Sequence, residues 1–279
     1  MRIQYISDDV KPGAHGGELN DHELLKTLKE DLATEVIFNR SSSPALENLE
    51  YYKDNKNDKF IINSFFYIPN RAFLVDNVDY ILYEHSHKYD MHCGDPSSYR
   101  NNKVPEIGFK DIYVKAKAVL CQSKLHADTL KKNIPEANVI NLSGNVWAED
   151  ALECMDTFRE IPKNDKVFVY NHKHYFKNTE YNVRFCERHD IAYDLIEAQP
   201  YIEFLETMAQ YKAFVYFPGW MESLNRMAVE CRMMGVGVVT DALLGAASEE
   251  WFNLEGEQLT ALMRRRRREI ANTVLQVFE

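Results

Sequence analysis

Two glutamates separated by seven residues lie where a strand pattern gives way to a helical one. They are Glu222 and Glu230, in the segment FPGWMESLNRMAVECRMMGVGVVT at 217–240. A helix beginning near Leu224 directs unpaired N–H groups and the positive end of its dipole at a ligand in front, which suits a diphosphate. Glu222 would precede that end, and Glu230 would lie about two turns along, as a second hydrogen-bond acceptor. The alternative is a pair of solvated carboxylates, and the flanking Phe-Pro and Gly-x-Val-Val strand ends favour a site.

Strands and helices must position these carboxylates. Short β-branched or aromatic runs alternate with amphipathic stretches, as in the βαβ units of a parallel sheet. Leucines at helical spacing predict a helix over Glu18–Leu32. The predicted strands are Ile3–Ile6, Glu35–Phe38, Phe60–Ile62, Tyr80–Tyr83, Ala118–Gln122, Val139–Leu142, Val167–Tyr170, Ala192–Ile196, Ala213–Phe217 and Val236–Thr240.

The strand pattern breaks around Ser143-Gly144-Asn145 and resumes at Val167. We therefore predict an α/β protein with two Rossmann-like domains, an N-terminal one over residues 1–150 and a C-terminal one over 151–279. Leu259–Phe278 would form a terminal helix of the second domain. Open parallel sheets bind ligands at the carboxyl ends of their strands, so the site should lie in a cleft between the domains.

The 217–240 segment resembles the C-terminal domain of the retaining GT-B glycosyltransferases of the family-four type. That family has a strand ending in Phe-Pro or Pro-Ser, a Glu, seven residues, a second Glu and a Gly-x-Pro-Val-Val-like strand. Gly235 matches the helix-ending glycine, and Gly237 stands where proline is commoner. The resemblance implies transfer of a sugar from a nucleoside diphosphate to a hydroxyl acceptor, with the anomeric configuration retained.

Shorter matches to the same family follow in the expected order. Gly16-Gly17 resembles the family's N-terminal Gly-Gly loop, where backbone approaches the donor phosphates. His85 follows a predicted buried strand, as does the family's sugar-contacting histidine. Cys121-Gln-Ser123 resembles its strand-serine-helix element, and Ser143-Gly144-Asn145 its interdomain turn with glycine and asparagine exchanged.

The turn after Val167–Tyr170 reads NHKHYFKN, where the family has an arginine and, five residues later, a lysine that neutralise the leaving diphosphate. Lys177 fits the lysine. His172 occupies the arginine position and Lys173 is its neighbour, so either could take that role. Preorganised positive charge lowers the barrier because the departing diphosphate becomes more negative. A solvated basic loop is the alternative.

The resemblance thus implies a full set of site residues. Those expected to be catalytic are Glu222, His85 and Lys177. Those expected to bind the donor are Gly16, Gly17, His172, Lys173, Lys177, Ser223, Leu224, Asn225 and Glu230. The implied co-substrate is a UDP- or GDP-linked sugar, with no further cofactor.

Metal-independent transfer is expected because the sequence has no Asp-x-Asp motif and no Gly-rich phosphate-loop signature. The competing possibility is a metal site built from side chains of suitable type but unfamiliar spacing. Its candidate ligands are His85, His87, Asp90, His92, Cys93 and Asp95.

The composition and charge of the chain limit which class of protein it is and which partners it can bind. A hydrophobic fraction of 45% excludes a disordered chain, and five cysteines without a C-x-x-C pair indicate neither a disulfide framework nor a thiolate metal knuckle. Apolar runs are too short to span a membrane and no signal peptide is evident, so we expect a cytoplasmic protein. The net charge of -10 opposes broad binding to nucleic acid, and Arg264–Arg268 is the one basic run. It is either a phosphate-binding patch or a solvated helix face.

The acceptor and two other functions stay open at this point. A hydroxymethylated DNA base, as in bacteriophage enzymes of this size class, is one acceptor. A cell-envelope saccharide, a lipid-linked sugar or a small metabolite are the others. The alternative functions are a non-catalytic nucleotide- or glycan-binding module and a sugar-nucleotide epimerase.

Overall fold

The computed structural model describes residues 1–8, 16–91, 104 and 106–279. The first sheet uses six strands with parallel pairing throughout, in the order β2-β1-β3-β4-β5-β6. These strands are β1 (Arg2–Ser7), β2 (Glu35–Arg40), β3 (Lys59–Ile62), β4 (Asp79–Tyr83), β5 (Val119–Cys121) and β6 (Val139–Asn141). The inner strands β1, β3, β4 and β5 are buried along nearly their whole length, as expected when helices cover both faces of a parallel sheet.

Helices connect the strands of this first sheet. They are α1 (Gly16–Lys26), α2 (Leu49–Asp54), α3 (Arg71–Asn77), α4 (Lys110–Lys115) and α5 (Lys124–Asn133). The helix predicted over residues 18–32 is α1 together with a π-helical turn, Thr27–Asp31. Its leucines pack with Ile3 and Tyr5 in one core cluster.

The second sheet has the order β10-β9-β7-β8 and is also parallel. Its strands are β7 (Val167–Tyr170), β8 (Tyr193–Ile196), β9 (Ala213–Val215) and β10 (Gly237–Val239). Its helices are α6 (Glu149–Phe158), α7 (Thr179–Arg188), α8 (Tyr201–Ala209) and α9 (Arg226–Met233). The predicted α/β class with two parallel-sheet halves is confirmed, and each predicted strand has a counterpart.

The terminal helix α10 (Gly256–Gln276) packs on both halves. Leu259 and Met263 belong to the core of the second sheet, whereas Ile270 and Val274 belong to a core cluster of the first. The helix therefore ties the two sheets together, where the sequence had suggested a helix of the second domain. The domain division at residue 150 stays a prediction.

The basic run in α10 is largely engaged within the chain. Arg264 contacts Glu149 and Asp156, Arg266 contacts Glu269, and Arg267 contacts Glu23 and Asp31. Arg265 and Arg268 are exposed. Arg265 and Arg268 are thus the most exposed arginines of the run, whereas Arg264 and Arg266 are partly exposed and ion-paired and Arg267 is buried. No helix in the described ranges is long and apolar enough to cross a membrane.

Candidate active site

A cavity of about 490 Å³ lies between the two sheets. The first half contributes the start of α1, the segment after β4, Gln122 and Asn145. The second half contributes the segments after β7, β8 and β9 and the first turns of α9. These walls are carboxyl ends of parallel strands and a helix N-terminus, the positions at which such sheets bind ligands. Nine of the predicted residues line the cavity: Gly16, Gly17, His85, His172, Lys177, Glu222, Ser223, Asn225 and Glu230.

Glu222 and Lys177 form an ion pair at this cavity. Lys177 Nζ lies 2.7 Å from Glu222 Oε1, and the two side chains are 32% and 20% exposed. The Tyr216 hydroxyl donates to the same oxygen. Burial acts to raise the pKa of Glu222, but the charge of Lys177 and hydrogen bonds from Lys177, Tyr216 and Asn225 outweigh it, so the pKa lies below its ordinary value. Glu222 is therefore an ionised acceptor facing the cavity.

Glu230 is a buried carboxylate held by three neighbours. Its Oε1 accepts hydrogen bonds from the Tyr201 hydroxyl at 2.7 Å and from Trp147 Nε1 at 3.0 Å. Arg226 Nε lies 3.4 Å from the same oxygen. Oε2 makes no hydrogen bond to the part of the chain that the structure describes, and the residue lines the cavity. One oxygen is thus fixed by the protein, and the other is available to a ligand.

Arg226 is a cavity residue that we did not predict. It is the first residue of α9, one turn before Glu230, and its side chain is 7% exposed. Its guanidinium carbon lies 4.5 Å from the centre of the Trp147 ring, and NH1 donates to the Val146 carbonyl at 2.8 Å. The i,i+4 spacing of Arg226 and Glu230 was the available signal, because side chains four apart on a helix are neighbours.

His85 is oriented by a second residue that we did not predict. His85 Nε2 lies 2.9 Å from Asp21 Oδ1 of α1, and both side chains are buried or nearly so, at 12% and 3% exposure. Ser7 Oγ donates to the other oxygen of Asp21 at 3.0 Å. A buried carboxylate that holds one ring nitrogen fixes the orientation of the imidazole at the cavity. No sequence motif links residues 21 and 85.

Gly16 and Gly17 form the first turn of α1, where the sequence had suggested a loop before the helix. A Cβ on Gly16 would lie 3.0 Å from Arg226 Cδ, and one on Gly17 would lie 3.2 Å from His85 Nδ1. Side chains of both halves therefore approach the turn closely. A side chain at either position would require Arg226 or His85 to shift by a few tenths of an ångström.

The segment before α9 joins the two halves. Ser223 Oγ donates to the His85 carbonyl at 2.7 Å and lies 3.0 Å from Gln122 Oε1. Asn225 caps α9, with its Oδ1 accepting from Ala228 N at 3.0 Å, so the helix begins at Arg226, two residues later than predicted. The Leu224 side chain is buried in the second core and does not line the cavity.

The basic turn after β7 presents one of its two candidate residues to the cavity. His172 lines it, with its ring stacked on Tyr170 at 5.5 Å between centroids. Lys173 is exposed and does not line it. Of the residues predicted at this turn, His172 and Lys177 line the cavity, and His174 and Phe176 of the same turn line it as well.

The histidine-rich stretch gives no metal centre in the described ranges. Among those residues, no three metal-ligating side chains come together. His87 instead stacks on Trp220 at 6.2 Å and meets His126 edge to face at 4.8 Å between ring centroids. His92, Cys93 and Asp95 lie outside the described residues.

Comparison with solved structures shows which fold this is. The chain is similar to a sucrose-phosphate synthase from Thermosynechococcus elongatus, with a TM-score of 0.63 and 10% sequence identity over 100% of this chain and 98% of that chain. It is similar to Anabaena Alr3699/HepE in complex with UDP and glucose, with a TM-score of 0.54 and 13% identity over 99% and 97% of the two chains.

A third similar structure is an alpha-glucosyltransferase in complex with UDP and a 13-mer DNA containing a HMU base. Its TM-score is 0.51, at 13% identity over 97% of this chain and 90% of that chain. No protein-family model matches the sequence, and no curated protein matches it. At these identities the similarity establishes the fold, two Rossmann-like halves in the GT-B arrangement.

Proposed function

We propose that this chain is a glycosyltransferase that moves a sugar from a nucleoside diphosphate to a hydroxyl acceptor with retention of configuration. One observation carries the proposal: Glu222 and Glu230, eight positions apart around the start of α9, both line the cleft, with Lys177 opposite. The pair offers carboxylate acceptors for hydroxyls on either side of a helix N-terminus that favours negative charge. A sugar linked through a diphosphate to a ribose has hydroxyls at both ends and charge in the middle.

The roles follow from the contacts. Glu222, held ionised by Lys177, binds sugar hydroxyls, and the free oxygen of Glu230 binds the ribose. An ammonium has three donors, so Lys177 can keep its bond to Glu222 and still donate to the departing diphosphate. His85, fixed by Asp21, contacts the sugar. Ser223 and Asn225 present the start of α9 to the diphosphate.

Retention and metal independence are the finer parts of the proposal. The support for retention is the resemblance of the 217–240 segment, and it implies an oxocarbenium-like transition state with phosphate leaving on the acceptor's side. The support for metal independence is the cationic side chain at the cleft, which can neutralise the leaving group. Turnover that is abolished by a chelator and restored by a divalent ion would overturn the second part.

A panel of nucleotide sugars tests the activity. A true donor at 100 times its dissociation constant stabilises a protein by about 2.7 kcal/mol, so thermal unfolding with UDP- and GDP-sugars should identify the donor. Slow hydrolysis of that donor without acceptor, with an anomeric product that keeps its configuration by proton NMR, is the expected result. Binding without hydrolysis or transfer indicates a non-catalytic module, and release of an altered nucleotide sugar indicates an epimerase.

For the acceptor, we propose that a hydroxymethylated DNA base be tested first. The support is that the alpha-glucosyltransferase with the same fold was solved with DNA containing a HMU base. The net charge of -10 opposes DNA binding, and three of the five arginines of α10 are already in ion pairs. Arg265 and Arg268 are the exposed arginines of this helix outside these ion pairs, and we expect them to supply its phosphate contacts.

Salt titration with duplex DNA carrying hydroxymethylated bases decides this point. Affinity should fall with salt at a log–log slope of roughly -0.9 per phosphate neutralised. Changing Arg265 and Arg268 to Gln should flatten the slope and leave donor hydrolysis intact. DNA that neither binds at low salt nor gains sugar directs the search to saccharide, lipid-linked or small-molecule acceptors.

A further inference from the structure

Arg226 has more hydrogen-bonding capacity than its neighbours use. A guanidinium carries five N–H donors. NH1 donates to the Val146 carbonyl at 2.8 Å, whereas NH2 makes only a 3.4 Å contact with the Tyr201 hydroxyl. Nε is buried and makes no hydrogen bond to the described residues. The residue is 8% exposed and lines the cavity, so its charge is largely removed from solvent next to a space that a ligand can fill.

The guanidinium lies beside a second source of positive potential. The Arg226 side chain crosses to Gly16, the first residue of the 11-residue helix α1. The first N–H groups of a helix have no intrahelical partner, and the dipole makes that end positive. Gly16, Gly17 and Leu19 of this turn all line the cavity.

Asn145 points independently to a ligand at the same place. It is 2% exposed, lines the cavity, and immediately precedes Val146, to which Arg226 is bonded. Its Oδ1 is buried without a hydrogen-bond partner in the part of the chain that the structure describes. A phosphate oxygen only accepts hydrogen bonds, so it is the Nδ2 donors of this amide that would meet a phosphate. Buried amides without partners are rare in folded proteins, and an absent ligand is one of the recognised reasons.

The position along the cavity indicates which anion binds. Arg226 Nε lies 3.4 Å from Glu230 Oε1, so a nucleotide whose ribose bonds the other oxygen of Glu230 carries its first phosphate beside Arg226. We propose that Arg226, with the first turn of α1 and the Asn145 amide, binds the phosphate groups of the nucleoside diphosphate. Lys177, paired with Glu222 on the sugar side, then meets the outer phosphate. The inference rests on the proposed function, because it takes the ribose position from there.

The test compares phosphate-bearing and phosphate-free ligands. Affinities of the full chain for UDP, uridine and inorganic pyrophosphate are measured by calorimetry for wild type, Arg226→Gln and Arg226→Lys. Arg232→Gln is the matched control. Arg232 lies on the same helix, bonds the carbonyls of Asn253 and Leu254, and does not line the cavity.

We expect Arg226→Gln to weaken UDP and pyrophosphate binding at least tenfold while uridine binding changes less than twofold. The UDP and pyrophosphate affinities of Arg226→Lys should lie between those of wild type and Arg226→Gln, because an ammonium keeps the charge but loses the planar fork. Arg232→Gln should match wild type for all three ligands. Retained uridine binding in the Gln variant shows that the fold is intact, and the Lys variant provides the comparison if the Gln variant unfolds.

Two results would overturn the inference. One is equal loss of UDP and uridine binding in both variants, which shows a structural role only; the other is unchanged UDP binding. Arg226-dependent binding of pyrophosphate by a wild-type chain that binds no nucleotide supports the phosphate site and refutes the proposed function. A wild-type chain that binds neither pyrophosphate nor any nucleotide refutes both.

Discussion

Changing Glu230 to Gln should separate its ligand contact from its structural role. Glu230 Oε1 accepts from Tyr201 and Trp147 and faces Arg226 at 3.4 Å. The two protein donors require an acceptor, so in Glu230→Gln the amide oxygen takes the place of Oε1. The amide nitrogen then takes the place of Oε2 and cannot accept a hydrogen bond from a ribose hydroxyl. Donor binding should weaken although the protein stays folded.

The contacts of Glu230 allow the loss of folding stability to be estimated for each variant. Glu230→Ala leaves a buried guanidinium without its carboxylate, and removing one partner of such a pair costs about 3–5 kcal/mol. For a protein of this size that corresponds to a fall in Tm of roughly 6–20 °C. Glu230→Gln keeps both neutral hydrogen bonds and loses only the charge, for which we expect about 1–2 kcal/mol, the difference between charged and neutral bonds.

The assay is UDP affinity by calorimetry alongside thermal unfolding. Loss of a charged hydrogen-bond acceptor corresponds to about 1.5–3 kcal/mol, or roughly 10- to 150-fold weaker UDP binding by Glu230→Gln. Glu206→Gln is the control, because Glu206 is an exposed residue of α8 outside the cavity. A folded Glu230→Gln protein with wild-type UDP affinity would refute the ribose contact. A Glu230→Ala protein as stable as wild type would refute the buried network.

Three further predictions concern charge. The pKa of Glu222 lies below its ordinary value in the folded protein, so its ionised form stabilises the fold. That stabilisation is fully present when the pH is above the ordinary pKa, and it is lost as the pH falls through the lowered pKa. The difference in unfolding free energy between wild type and Glu222→Gln should therefore shrink as the pH falls below the ordinary glutamate pKa of about 4.3; a constant difference would contradict the ion pair. Burial lowers the pKa of His126 to about 4, and Nδ1 accepts from Gln122 N while Nε2 contacts the Ser86 carbonyl, as in a neutral ring. The unfolded state takes up a proton near pH 6.5, so stability should fall by about 3 kcal/mol from pH 7 to pH 4, less steeply in His126→Asn; equal slopes in urea unfolding would refute this. Lys177→Ala should lower kcat more than donor affinity, since its partner becomes more negative only during reaction; an affinity loss alone would contradict that role.

The architecture could be predicted from sequence because its signals are local. A parallel sheet covered on both faces requires apolar runs such as Phe60–Ile62 and Val167–Tyr170, and these are visible without any tertiary information. The predicted acidic pair lies in one cavity because strand, helix cap and helix follow each other within a few residues. The start of α9 was predicted two residues too early because Asn225 caps it, and capping depends on side-chain geometry that a periodic pattern does not show.

Contacts between residues that are far apart in the sequence could not be predicted from the sequence alone. Helical periodicity places the arginines of α10 around a helix, yet only folding brings Glu149, Asp156 and Glu23 to three of them. Likewise the choice between His172 and Lys173 depends on the direction in which a short turn points its side chains.

Sequence by itself thus determined the two-sheet fold, the cleft and the acidic pair, because strand burial, helix periodicity and the Glu222–Glu230 spacing are each local properties of the chain. Tertiary structure alone decided that Asp21 orients His85 and that Arg226 reaches Gly16. These contacts join residues 64 and 210 positions apart. The packing of the two halves brings these residues together, and no periodic pattern in the sequence predicts such contacts.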